Sequence, residues 1–312
     1  MESIITIVGF LGAGKTTLLK YLVESAVKHQ WHPYVILNDY IDADLDAQQI
    51  SNDLGPMSVS GLTGSCICCD GINELRECVN NIPPRDAGIT LIEANGTSDA
   101  SRLMEFLSVG LDERFSPPIQ VSVVDVKNWQ TRGVHNELEA EQVRVSSLIV
   151  LTHLDGVSKD RVAQVEMQVR ETNPLASIAT QAELDILLLS KLGPIESAPT
   201  TLAHHKTHWS SCSVDLYDLP NVACIQRLCD LIPSDILRLK GCTKVAGLDG
   251  YTHFERCPDG EIYLRPYHGS PVTGPKLLAV GPGSDPSVLR NAVEQSLVME
   301  MDGVKNRRSA SH

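Results

Sequence analysis

Two short stretches hold residue types whose spacing can do chemistry. In GSCICCDG, residues 64–71, three thiols (Cys66, Cys68 and Cys69) fall within four positions of a 312-residue chain that has nine cysteines. Thiolates are soft ligands suited to Zn²⁺ or Cu(I), and Zn²⁺ takes four ligands in a tetrahedron. Three cysteines leave one position, which Asp39 or a histidine could fill. A closed set would suit a structural ion, whereas an open or exchangeable position suits an ion that is handed on. Adjacent Cys68 and Cys69 point apart in an extended segment, so one ion need not engage all three at once. The plainer alternatives are a disulfide or buried free thiols. An odd number of cysteines cannot pair completely within one chain, and disulfides are rare in a reducing compartment. Cys78, Cys212, Cys224, Cys229, Cys242 and Cys257 have no ligand-like spacing and read as core or surface thiols.

The second stretch is GFLGAGKTT, residues 9–17. Gly9, Gly14, Lys15 and Thr16 complete the pattern G-x-x-x-x-G-K-[ST], with Gly12, Ala13 and Thr17 in the same turn. Glycines let backbone N–H groups approach phosphate oxygens at a helix N-terminus. Lys15 is expected to reach the β- and γ-phosphates of a nucleotide, and the Thr16 hydroxyl to ligate Mg²⁺. An accidental lysine after a glycine-rich turn would also fit the letters, but not the elements on either side.

Those elements are an apolar run, Ile4 to Val8, and then Leu18, Leu19, Leu22, Val23, Ala26 and Val27 at helical spacing, which read as strand, loop and helix. Further strand-like runs are YVILN (34–38), ITLIE (89–93), QVSVVD (120–125) and SLIVLT (147–152). Runs apolar on both faces, spaced for crossover helices, predict an α/β fold with a mainly parallel sheet covered on both sides. Function in such a sheet sits at the C-terminal ends of the strands, where Asp39, Glu93, Asp125 and Asp155 fall. A lone carboxylate after a strand is often a helix cap. Glu93 has more to recommend it, because it ends an apolar strand where a phosphate-loop protein needs a group for Mg²⁺ or its water shell. Asp155, in VLTHLDG, could accept from guanine N1–H and N2–H₂, donors that adenine does not present in that arrangement.

Composition narrows the partners. With 39 Asp and Glu against 26 Lys and Arg, the net charge of −13 disfavours nucleic acid and anionic membrane surfaces. A hydrophobic content of 42% can fill a substantial core. The opening MESIITIVGF has no basic n-region, and no apolar run is long enough to span a bilayer, so the chain reads as cytoplasmic.

The motifs GFLGAGKTTLL, VILNDYIDADLD, GSCICCDG, LIEANGTSDA, VVDV and LTHLD, in that order, resemble the CobW-type GTPases, metal-handling members of the SIMIBI class of P-loop proteins. DILRLKGCTKVAG and GEIYLRP, within 235–266, are similar to that family's smaller C-terminal domain. The resemblance implies GTP hydrolysis, catalysed with Lys15, Thr16 and Glu93, coupled to delivery of a transition metal, Zn²⁺ first and Co²⁺ as the alternative, to a client metalloprotein. It implies nucleotide contacts from Gly9, Gly12, Ala13, Gly14, Lys15, Thr16 and Thr17 and from Thr152, His153 and Asp155, with Mg²⁺ at Thr16 and Glu93. Where the family has Asn-Lys-x-Asp this chain has Thr152-His153-Leu154-Asp155, so guanine selectivity is expected to be weaker. Asn38-Asp39-Tyr40-Ile41 replaces Asn-Glu-Phe-Gly, and Asn95 stands where the family tends to have Ser.

The expected organisation is a P-loop domain over 1–195, a linker over 196–210, a compact α+β domain over 211–302, and a polar tail over 303–312 without structure. His204, His205 and His208 in the linker read as solvated. Asp285 and Pro286 are placed as N-cap and first residue of a last helix. A homo-oligomer is left open. The rival reading is a nucleotide-gated metal sensor or sequestration protein in which hydrolysis is incidental. A P-loop kinase would leave the C-x-C-C unexplained.

Overall fold

The computed structural model describes residues 1–39, 51, 58–63, 72–189, 191–194, 211–234, 236–257, 260–267, 269–271, 274–281 and 284–308. The chain divides into two compact units, 1–208 and 209–312. In the first, strands β1 (Ser3–Val8), β2 (His32–Asp39), β3 (Ser58–Thr63), β4 (Gly88–Glu93), β5 (Ile119–Asp125), β6 (Leu148–Thr152) and β7 (Ser177–Thr180) form one sheet in the order β3-β2-β4-β1-β5-β6-β7. Every pairing is parallel. Strands β1, β4 and β5 are buried almost throughout, as residues apolar on both faces require. Helices α1 (Lys15–Lys28), α2 (Ile72–Asn80), α3 (Ala100–Leu107), α4 (Asn136–Arg144), α5 (Lys159–Thr172) and α6 (Ile186–Leu189) lie in this unit, with short 3-10 turns at Gly133–His135 and Gln181–Glu183. Leu18, Leu19, Leu22 and Val23 of α1 pack with Ile5, Ile7, Val35 and Leu91 in one core, while Leu75, Val79 and Leu103 pack with Ile4, Val8 and Ile92 in another. The sheet is thus covered on both faces, and the order reverses beside β1, whose C-terminal end carries the glycine-rich loop.

At the N-terminal end of the sheet, the buried Glu2 carboxylate accepts from Arg85 Nη2 at 2.8 Å and from Arg114 Nη1 at 2.9 Å. This clasp ties the segment before β4 and the segment before β5 to the start of β1.

The second unit is an antiparallel sheet of β8 (Ser211–Asp215), β9 (Arg238–Lys244), β10 (Tyr251–Arg256), β11 (Ile262–Tyr267) and β12 (Lys276–Val280), ordered β11-β10-β9-β12-β8. Helices α7 (Val222–Leu231) and α8 (Pro286–Arg308) share one core with it around Phe254, Leu277, Ile225 and Leu289. Gly241 is required here, since an added Cβ would lie 2.1 Å from the Phe254 ring. Asp285 caps α8, its Oδ1 accepting from Ser287 N at 2.7 Å. Residues 303–308, expected to lack structure, belong to α8. Once Leu289, Ala292 and Val293 anchor a helix to a core, extending it by a further turn fixes few additional degrees of freedom per hydrogen bond. No helix among the described residues is long and apolar enough to cross a membrane.

Candidate functional site

The glycine-rich loop joins β1 to α1, and its glycines are there for steric reasons. Gly9 has φ 146°, and a Cβ on it would lie 2.5 Å from the Val123 carbonyl oxygen. Gly12 and Gly14 have φ 78° and 95°, a left-handed backbone that other residues rarely adopt. Gly14 is the N-cap of α1, so the loop's N–H groups gather at a helix N-terminus. Ala13 N donates to Phe10 O at 3.1 Å and closes the turn. Lys15 is buried, and its ammonium is folded back over the loop, donating to Gly9 O at 2.9 Å and Phe10 O at 3.2 Å. Thr17, the next residue but one, is exposed.

Thr16 and Glu93 are 77 residues apart in sequence, yet the Thr16 hydroxyl donates to Glu93 Oε1 at 2.8 Å. Parallel pairing brings them together: Glu93 ends β4 beside Ile7 of β1 and Leu37 of β2. A hydroxyl and a largely buried carboxylate beside a phosphate-shaped loop are hard oxygen donors of the kind Mg²⁺ takes, so these residues fit that ion.

On the other side of the loop, β6 ends at Thr152. The single proton of its hydroxyl lies between Ala13 O at 2.8 Å and Val124 O at 3.1 Å, which ties β6 to the glycine-rich turn. His153 follows with φ 54°, and its ring sits beside Gly14, with Nδ1 3.2 Å from Thr152 Oγ1 and 3.8 Å from Asp125 Oδ1. Asp155 is exposed, three residues past β6. Asp125, by contrast, is committed to structure: it accepts from Asn128 and from Arg132 Nη2 at 3.0 Å. Arg132 also binds Glu139 at 2.8 Å and lies 4.5 Å from the Phe10 ring centroid, while His135 contacts the same ring. Burial pushes the Glu139 carboxyl up despite the Arg132 charge, and burial, aided by Arg132, pushes His135 down.

Thus Gly9, Gly12, Ala13, Gly14, Lys15 and Thr16 surround one turn, with Glu93 on one flank and Thr152 and His153 on the other. The backbone of Asp39 ends β2, where it pairs with Thr63 of β3. Its side chain, and Cys66, Cys68 and Cys69, lie outside the described residues, as do His204, His205 and His208. Among the described residues no group of three or more His, Cys, Asp or Glu is placed to hold a metal. Of the six cysteines without ligand-like spacing, Cys212, Cys224, Cys229 and Cys242 are buried. Burial raises the Cys229 thiol to about 12.

Sequence reasoning did not single out the residues that hold these loops. Gln142 of α4 donates to Gly96 O at 3.3 Å and Ser98 O at 3.2 Å, and Arg132 links Asp125 to Glu139. Their polarity and spacing are those of ordinary helix and loop residues, so only the fold reveals them.

Residues 3–180 match the family model described as CobW/HypB/UreG, nucleotide-binding domain. The chain belongs to that family. The chain is 26% identical to zinc-regulated GTPase metalloprotein activator 1 of Dictyostelium discoideum over 54% of its length and 43% of the relative's. It is 26% identical to zinc chaperone YjiA of Escherichia coli, over 58% of each chain. It is 25% identical to zinc chaperone CobW of Pseudomonas aeruginosa, over 78% of this chain and 77% of that one. The first two matches therefore span about half the length of those relatives. Among solved structures, Zn(II)-bound YjiA GTPase from E. coli is similar over 93% of this chain and 97% of that chain, at 17% identity and a TM-score of 0.41.

Proposed function

We propose that this protein is a GTP-hydrolysing metal carrier: it binds GTP at the β1–α1 loop and couples the nucleotide cycle to a transition-metal ion, zinc first, held by Cys66, Cys68 and Cys69 with Asp39 as a further ligand. The observation that carries the nucleotide half is the Thr16–Glu93 pair beside the glycine-rich loop. The metal half is supported by the thiol spacing and by the names of the zinc chaperone relatives.

In this reading GTP lays its phosphates along the N–H groups of residues 9–17, and Lys15 Nζ leaves the Gly9 and Phe10 carbonyls for the β- and γ-phosphate oxygens. Thr16 ligates Mg²⁺ and Glu93 holds its water shell; the ion, when bound, offsets charge on the β- and γ-phosphates. Asp155 accepts from guanine N1–H and N2–H₂ while His153 lies against the base. No glutamine is recognisable as a positioner of the attacking water, so intrinsic turnover is slow and rises with metal or client. The protein acts in the cytoplasm, on a client metalloprotein, and hydrolysis releases the ion.

Phosphate release from GTP and from ATP tests the nucleotide half. The expected result is faster release from GTP, abolished in Lys15→Ala at unchanged melting temperature. Wild-type turnover in Lys15→Ala would overturn the assignment, and equal use of ATP would show that Asp155 does not read the purine edge.

A further inference from the structure

Asn95 stands in the loop after β4, between the Glu93 carboxylate and Gly96, and nothing in the nucleotide or metal chemistry above uses it. Its side chain is 5% exposed. Its Oδ1 accepts three bonds, from Thr97 N at 3.0 Å, Thr97 Oγ1 at 3.0 Å and Ser98 Oγ at 3.2 Å. The Thr97 backbone N–H fixes which way the amide faces, because it can only donate and only the amide oxygen can accept it, whereas a hydroxyl could do either. The Nδ2 group is therefore turned outward from its own loop, and it donates to Asn38 Oδ1 at 3.2 Å. Asn38 is equally buried, one residue before the end of β2.

This bond joins two sets of neighbours. On the nucleotide side, the loop touches the glycine-rich turn twice: Glu93 accepts from Thr16, and Gly96 lies so close that an added Cβ would be 2.6 Å from Leu11 N. Gln142 holds the same loop from behind through Gly96 O and Ser98 O. On the other side, Asn38 pairs with Leu62 and Asp39 with Thr63, the last residue of β3. Cys66 follows Thr63 by three residues in sequence. The ends of β2 and β3 are therefore the roots from which both Asp39 and the thiol cluster depart.

The geometry points to Asn95 and Asn38 as positioning residues whose amide–amide bond relays the nucleotide state of the glycine-rich loop to the paired ends of β2 and β3. Occupancy of the γ-phosphate site moves Glu93 and Gly96. Asn95 is bonded rigidly to that loop, so it shifts with them and pulls on Asn38 through one buried contact. A two-state loop biased by a ligand on one side and by strand ends on the other is what coupling between two sites requires. The inference deepens the reading of this protein as a GTP-gated metal carrier and rests on its nucleotide half.

The test is hydrogen exchange of the metal-free full chain with GDP and with a non-hydrolysable GTP analogue, in wild type, Asn38→Ala, Asn95→Ala and the double variant. In wild type, segments 32–39 and 58–63 should exchange more slowly with the GTP analogue than with GDP. In Asn38→Ala, which leaves the Asn95 bonds within its own loop in place, that difference should vanish while residues 9–17 stay protected by either nucleotide. The double variant should lose no more than Asn38→Ala, since one bond carries the effect. A difference that persists in Asn38→Ala, or is absent from wild type with nucleotide bound, overturns the relay. Absorption of added Co²⁺ in the same samples reads the metal half separately: exchange that depends on Asn38 without thiolate absorption overturns the metal reading and supports the relay.

Discussion

Thr152→Val removes one hydroxyl at nearly constant volume, and the consequence can be worked from two distances. The Thr152 proton serves Ala13 O at 2.8 Å and Val124 O at 3.1 Å. Without it the Ala13 carbonyl, inside the glycine-rich turn, loses its side-chain partner. Leaving such a group unsatisfied costs about 1–3 kcal/mol. In the nucleotide-free protein the turn can relax and find water, but it must give that water up to close around phosphates. The cost therefore falls on binding, and at 1.4 kcal/mol per tenfold it weakens GDP by a factor of about 5–150. Titration with a fluorescent GDP analogue reads this directly. Thr152→Ser keeps the hydroxyl and should stay near wild type. An affinity for Thr152→Val within twofold of wild type, or a fall in melting temperature with unchanged affinity, would refute the idea that Thr152 shapes the phosphate loop rather than the sheet alone.

Two further outcomes concern stability. Glu2→Gln leaves the largely buried Arg85 guanidinium without its carboxylate and Arg114 with only Asp112, at 3.8 Å, at a cost of about 3 kcal/mol. The first unit should then melt about 6–12 °C lower in calorimetry, and an unchanged melting temperature would show the clasp to be dispensable. In the second unit, burial alone would raise the Glu255 carboxyl, but Arg238, Lys240 and His253 outweigh it and hold the group at about 2. Its folded value lies below the ordinary 4.5, so the stabilisation is present above that value and is lost as pH falls toward 2. The contribution is about 3 kcal/mol. Arg238→Gln should flatten the acid limb of the unfolding curve for this unit, and a parallel limb would locate the pH dependence elsewhere.

How much of this was legible beforehand depends on how local the signal is. The phosphate loop could be read because glycines at 9, 12 and 14, a lysine and a threonine fall in one unbroken stretch between a strand and a helix. Glu93 was singled out because an apolar run ends on it, and parallel pairing, which the run pattern predicts, brings it against Thr16. Strand β3 was missed, since SVSGLT has a glycine and little apolar content; only its pairing with β2 makes it a strand. The role of Thr152 was partly legible as a replacement for Asn, but its acceptor, 139 residues away, was not. Asn95 was noticed as a departure, yet its partner Asn38 is 57 residues away and nothing in either local pattern links them. Asp125 was one of four carboxylates at strand ends, where a helix cap is the commoner role, and the structure spends it on Asn128 and Arg132. Asp39 and the three cysteines remain an inference from spacing.

The most direct test of the central claim is a Co²⁺ titration followed by thiolate-to-metal charge-transfer absorption, run with GDP and with a non-hydrolysable GTP analogue. Thiolate ligands must lose protons to bind, so uptake should also release protons and weaken as pH falls. The account predicts absorption in the wild type whose midpoint differs between the two nucleotides, and its loss in the Cys66→Ser, Cys68→Ser, Cys69→Ser variant with GTP binding nearly intact. Absorption absent from the wild type, unchanged in the triple variant, or identical with the two nucleotides would contradict a metal site gated by GTP.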